Sequence, residues 1–326
     1  MTKAVSMPSA APLPDRPSAD ALTGMLNALG CFSFWGLFPI YFKLLHRVPA
    51  LEVLAHRVLG SALLLAVLMA LQGRGRDLWA ELQAKPRLGF YLLTTLLISG
   101  NWLLYIWAVQ NGRILEASLG YYINPLVNVV LGVLFLHERL NPRQWMAVAI
   151  AAVGVLALVV GYGVFPWISL TLALSFGSYG MLRKKAGFNP MLGLSVETLL
   201  IAPIALTFLT LLALRGDGAL GMGDGWTDLL LLAAGPITVA PLLMFLEATQ
   251  RLPLSMVGLI QYLTPTLQFL LAVALYREPF TGVHLAAFGC IWLALALYSA
   301  DAWSGYRRQS ERFPAGSLPR SHGASP

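Results

Sequence analysis

Three ionisable side chains, Glu52, His56 and Arg57, stand together at the start of an otherwise apolar run, residues 51–71. Glu52 and His56 are four apart and share one face of a helix, a spacing that lets a carboxylate and an imidazole hold a proton or a polar ligand between them. The simpler alternative is an interfacial ion pair among Glu52, Arg57 and Lys43, with long side chains reaching to the surface. Glu116, Glu197 and Glu247 fall in, or at the mouths of, further apolar runs. A carboxyl group near hydrocarbon is penalised in its charged form, so one without a fixed cation can load and release protons. Glu52 with His56, or Glu116, are the candidate proton carriers. For Glu116 the alternative is a partner for the dipole of the helix it opens, with Arg113 three residues before it.

A second set is polar but uncharged. Asn101, Trp102, Trp107, Asn111, Tyr121, Asn124 and Gln261 offer hydrogen-bond donors and stacking faces for a cavity wall. Membrane helices also use Asn and Gln to join helices and Trp as an interface belt, so lining is assigned to the deeper Asn101 and Asn124. Pro125 and Pro265 stand near the middle of their runs, where an interior proline frees the carbonyl four residues back, at Tyr121 and Gln261. Each is preceded three residues earlier by a tyrosine, Tyr122 and Tyr262.

The elements that must carry these residues follow from hydropathy. Of 326 residues 57% are hydrophobic and only 11% charged, and the mean hydropathy is +0.70, which excludes an ordinary soluble domain. Apolar runs fall near 22–44, 51–71, 88–110, 115–136, 143–162, 164–182, 192–214, 227–249, 254–275 and 282–302, each about the ~20 residues a spanning helix needs. The expected fold is all-α and polytopic, with ten transmembrane helices. Only Gly161, Tyr162 and Gly163 separate the fifth run from the sixth, so nine spans is the alternative. Residues 1–20, rich in Pro, Ala and Ser, and the basic stretch 303–326 read as disordered tails, and no signal-peptide core is present in the first.

The net charge of +7 does not imply nucleic acid, because Lys and Arg are scattered between the apolar runs as topology signals are. With ten spans and cytoplasmic termini, sixteen of them fall on the cytoplasmic side and four outside, which favours that orientation. Cys31 and Cys290 lie inside apolar runs and read as buried free thiols. No phosphate loop GxxxxGK[ST] and no GxSxG occurs; His137 and Glu138 begin an HExxH motif that Asn141 breaks, so neither a cofactor, a metal nor an enzymatic activity is expected.

The chain repeats itself at a constant offset of 140. Gln110, Tyr122, Pro125 and Glu138 recur as Gln250, Tyr262, Pro265 and Glu278, with apolar matches between them. Five helices separate the copies, an odd number, so halves 21–162 and 163–302 are expected in opposite orientation, a plan of secondary transporters with a substrate site at the midplane. Both glutamates, 138 and 278, end their helices and are expected to be solvated, Glu138 beside Arg139 and Arg143.

The run GNWLLYIWAVQNGRILEASLGYYINPLVNVVLGVLFLHERL at 100–140, with EVLAHR at 52–57, LRKKAG at 182–187 and QYLTPTLQFLLAV at 261–273, resembles the EamA branch of the drug/metabolite transporter superfamily. The resemblance covers all ten runs and neither tail. It implies two inverted five-helix halves, a bacterial inner membrane and export of small molecules; no residue role is carried over from it. The expectation is a secondary transporter of small metabolites or drugs, alternating access around a site between helices one to four and six to nine. Its partners are a small-molecule substrate and the lipid bilayer, and a homodimer is left open. An uncoupled facilitator of the same fold is the first alternative, and a membrane scaffold or enzyme the second.

Overall fold

The computed structural model describes residues 19–136, 140–162, 165–186, 189–221, 224–252, 257 and 260–312. The expected N-terminal tail up to residue 18, His137, Glu138, Arg139 and Gly163 lie outside the described residues. So do the side chains of Pro125, Asn128, Lys184 and Gln250.

The described chain is helical: α1 Ala19–Leu44, α2 Ala50–Leu71, α3 Gly75–Gln83, α4 Lys85–Gln110, α5 Ile114–Leu136, α6 Pro142–Tyr162, α7 Trp167–Ala186, α8 Pro190–Arg215, α9 Gly225–Arg251, α10 Leu263–Leu270 continued by a π-helical turn Leu271–Leu275, and α11 Gly282–Arg312. Among the described residues five helices are both long and apolar enough to cross a bilayer, within α1, α2, α4, α8 and α9. Their outer faces carry large exposed apolar side chains such as Leu63, Leu71, Val160 and Leu214, as a lipid-facing surface requires.

Local chemistry sets the ends. Asn189 caps α8 by accepting from Leu192 N at 3.1 Å, and Gly216, with φ +73°, closes it in the left-handed region that a Cβ disfavours. Asp224 caps α9 through Trp226 N at 3.2 Å. Hydropathy did not foresee α3, a short amphipathic helix with Leu78 buried against α8 and Glu81 accepting from Arg87 and from Tyr91 Oη, each at 2.9 Å. The last helix runs on to Arg312, ten residues past its expected end.

The packing interleaves the chain's two halves. α1 packs on α9 and α10, α2 on α8 and α9, α4 and α5 on α7, and α6 on α11. Small residues permit the closest approaches. A Cβ on Gly60 of α2 would stand 2.9 Å from the Cα of Gly235 in α9, and one on Gly120 of α5 would stand 2.8 Å from Ser169 O of α7. Because α2 and α9 cannot separate without losing their other contacts, Gly235→Val is expected to destabilise the fold by about 1–3 kcal/mol. Thermal unfolding of the purified protein in detergent checks this; an unchanged midpoint would show that the crossing is not tight.

Candidate functional site

Inside the bundle lies a cavity of about 520 Å³ whose walls come from α1, α2, α4, α5, α7, α8, α9 and α10. Of the residues singled out in the sequence, Arg57, Asn101, Trp102, Tyr121, Gln261, Tyr262 and Pro265 line it. Asn124, His56 and the glutamates 52, 116, 197 and 247 do not.

Asn101 both lines the wall and ties helices: its Nδ2 donates to Leu172 O at 3.0 Å and Ser175 Oγ at 2.9 Å on α7, while its Oδ1 is buried without a partner. Asn124 only ties, donating to Ala173 O at 3.2 Å. Trp107 packs at a tilt against Trp167 and lies under Arg113, and Asn111 donates back to Trp107 O at 2.8 Å; neither lines the wall. Tyr122 is turned away, onto Phe288, Trp292 and the Thr266 hydroxyl at 2.7 Å.

The expected cluster of Glu52, His56 and Arg57 is taken apart by the helix. Five residues separate Glu52 from Arg57, about 140° of rotation, so they face different neighbours. Glu52, 2% exposed, accepts from Ala219 N in the α8–α9 connection at 2.6 Å. Lys43 reaches Gln110 O at 3.5 Å instead. His56 Nε2 is buried with no partner among the described residues. Arg57, 5% exposed, lays its guanidinium 4.3 Å from the centre of the Trp102 ring, with Phe38 and Phe42 at 5.6 and 5.8 Å. Among the described residues no carboxylate joins it, so the alternative ion pair of Glu52, Arg57 and Lys43 does not form. The other ionisable groups are engaged: Glu116 with Arg113 at 3.2 Å, Glu197 with Tyr179 Oη at 3.0 Å and Arg183 at 3.6 Å, and Glu247 with Arg251 Nε at 2.7 Å. Among the described residues no group of His, Cys, Asp and Glu converges as a metal site. Both cysteines are free, Cys31 buried and Cys290 half-buried.

Pro265 corrects a second expectation. It is the third residue of α10, in the first turn, where a missing N–H costs little. Gln261 and Tyr262 form a turn ahead of the helix, and Gln261 O accepts from Thr264 N at 3.1 Å, so that carbonyl is not freed. The interruption is real but lies at Gln261 and Tyr262, both on the cavity wall. α5, by contrast, is continuous through Pro125.

One end of the bundle is tied across sequence-distant segments. Gln110 Nε2 donates to Leu45 O and Val48 O, each at 3.0 Å, and Glu52 holds Ala219 at the same end. Glu278, expected in solvent, is half-buried and accepts from Ile114 N at 2.8 Å and Leu115 N at 2.7 Å. It caps the first turn of α5, whose orphan N–H groups and dipole attract a carboxylate. The π turn and Arg277, with φ +52°, aim it there. Burial pushes the Glu278 carboxyl above its ordinary value, opposed by the two N–H donors and Lys43. The sequence signal for this contact was the pairing of the two glutamates in the repeat; nothing local pointed to a partner 164 positions away.

Comparison with known proteins completes the picture. The model of the EamA-like transporter family matches the chain twice, over residues 22–160 and 166–300. An uncharacterized transporter of Pseudomonas aeruginosa is 48% identical over 89% of this chain and 98% of its own length. Protein RarD of Escherichia coli is 44% identical over 88% and 97%. A chloramphenicol-sensitive protein RarD of Pseudomonas aeruginosa is 34% identical over 89% and 97%. A crystal structure at 18% identity shares the fold, with a TM-score of 0.55 over 86% of this chain and 97% of that one. Apolar helices, lipid-compatible surface and two family matches agree: the chain belongs to the EamA-like transporter family and is a polytopic membrane protein.

Proposed function

We propose that the chain is a secondary transporter that exports small metabolites or drugs across the bacterial inner membrane, by alternating access around the central cavity. The observation that carries this is a cavity shared by eight helices and tied off at one end by Glu52, Gln110 and Glu278. Ten spans in two inverted repeats fit it. The two family matches divide the chain near its middle. The principal packing also maps onto itself when α1, α2, α4, α5 and α6 are exchanged for α7, α8, α9, α10 and α11: α1 on α9 becomes α7 on α4, and α1 on α10 becomes α7 on α5. Such internal symmetry lets one sequence build two conformations that open to opposite sides.

Both termini face the cytoplasm in this reading, as the excess of Lys and Arg on that side favours. The tied end then faces outward, and the cavity, whose wall reaches Arg183 near the end of α7, communicates with the cytoplasm. Single cysteines test it without a substrate. In a background lacking Cys31 and Cys290, Gln261→Cys is expected to react with an impermeant maleimide from the cytoplasmic face and to be protected from outside. Adding Glu278→Ala, which uncaps α5, should raise labelling from outside several-fold. Labelling from outside alone, or no effect of Glu278→Ala, would contradict the arrangement.

Coupling falls on a carboxylate whose contact must break when the tied end opens, and Glu52 meets that description; Glu116, paired with an arginine of its own helix entrance, does so less well. For a solute that the parent protein concentrates, Glu52→Gln is expected to abolish accumulation while sparing exchange between equal pools. Accumulation at the parent level in Glu52→Gln and in Glu116→Gln would make both carboxylates structural.

A further inference from the structure

The cavity wall holds two cations and, among the described residues, no carboxylate. Arg183 has Glu197 beside it at 3.6 Å. Arg57 has none: its Nε is buried without a partner and no described side chain supplies an opposite charge. Stacking on Trp102 satisfies one face of the guanidinium, because a cation is drawn to a ring's negative face. It leaves the donors in the guanidinium plane unused, and these fit the two oxygens of a carboxylate. Tyr105, 3% exposed and also on the wall, has a buried hydroxyl with no partner. Two unused donor groups and an unbalanced positive charge therefore belong to one cavity, in an interior where a lone charge is costly.

We infer that Arg57 with the Tyr105 hydroxyl is the recognition point for a small organic monoanion, one carboxylate on an apolar, ring-bearing body. The inference rests on the transporter reading and names the class of solute. One uncompensated cation is neutralised by a single negative charge; a phosphate monoester, closer to two, would leave net charge in an apolar chamber. A zwitterion would bring an ammonium group for which the wall offers no carboxylate. The body of the solute meets rings, from Phe32, Trp35, Phe38, Tyr121 and Phe176, which favour a flat apolar group over a sugar. The volume is that of a small-molecule site.

The test uses the full chain in lipid nanodiscs and three probes of one shape, measured by calorimetry at fixed ionic strength: 3-phenylpropanoate, its neutral amide 3-phenylpropanamide, and zwitterionic phenylalanine. The carboxylate is expected to bind at least tenfold tighter than either of the others. Arg57→Gln should remove that preference and leave the amide unchanged. Tyr105→Phe, which keeps the charge and the ring, should weaken the carboxylate several-fold; with Arg57→Lys it decides the matter if Arg57→Gln does not fold. Equal affinity for the amide, no carboxylate binding at millimolar concentration, or equal binding of chloride or inorganic phosphate would each overturn the inference. Flux separates the two readings. Selective binding with no movement into proteoliposomes would sink the transport reading and leave the site. Equal flux of acid and amide, unchanged by Arg57→Gln, would leave a transporter whose site does not read charge.

Discussion

Bilayer hydrocarbon offers no hydrogen bonds, so every polar group in a spanning helix must find its partner within the protein. That constraint organises this molecule. Side chains on one helix donate to main-chain oxygens on another: Asn124 to Ala173, Ser118 to Pro265, Thr264 to Phe32, Gln268 to Trp35 and Tyr41 to Leu230. Each such bond joins segments far apart in sequence, so the helices are held in register by directional contacts as well as by packing. Several of the exceptions sit together. Arg57 Nε, Tyr105 Oη, Asn101 Oδ1 and Gln268 Oε1 are buried and unpartnered, and all four residues border the cavity. Other unpartnered buried atoms, His56 Nε2, Ser61 Oγ and Thr95 Oγ1 among them, lie away from it.

A sequence carries its helices in its hydropathy, and here the apolar runs and the observed helices agree closely along most of the chain. α3 escaped because nine residues with three charged side chains give no apolar run; its buried Leu78 is a single residue. The helix break at Gln261 and Tyr262 was legible only as a proline nearby, since Pro265 marks the start of the following helix rather than its middle. Contacts across the bundle were less legible still. Glu52 and His56 share a helix face by spacing, yet Glu52 is taken by a main-chain N–H 167 positions away, and no local rule gives such a partner. Residue type was the better guide to the wall: amide and aromatic side chains inside apolar runs, Asn101, Trp102, Tyr121 and Gln261, border the cavity. Tyr105 was missed because a lone tyrosine in an apolar run has the bland reading of an interface anchor.

The tied end shows how local distortion serves a long-range contact. A π turn and a left-handed arginine are each less favourable than regular helix, by about 1–2 kcal/mol for the latter. They place Glu278 where two main-chain donors and a helix dipole await it. A contact of this kind would be lost in any shift of α5 against the segment after the π turn, as the alternating access proposed above requires.

In the transport reading proposed above, the halves must part at this end for solute to leave. Cysteines placed at Ile114 and Glu278, bridged by a short thiol crosslinker in the cysteine-free background, fix that end closed, and 3-phenylpropanoate flux is then measured in proteoliposomes before and after cleavage of the bridge. The bridged protein is expected to bind the carboxylate without moving it, and cleavage to restore flux; undiminished flux through the bridged protein would contradict alternating access at this end.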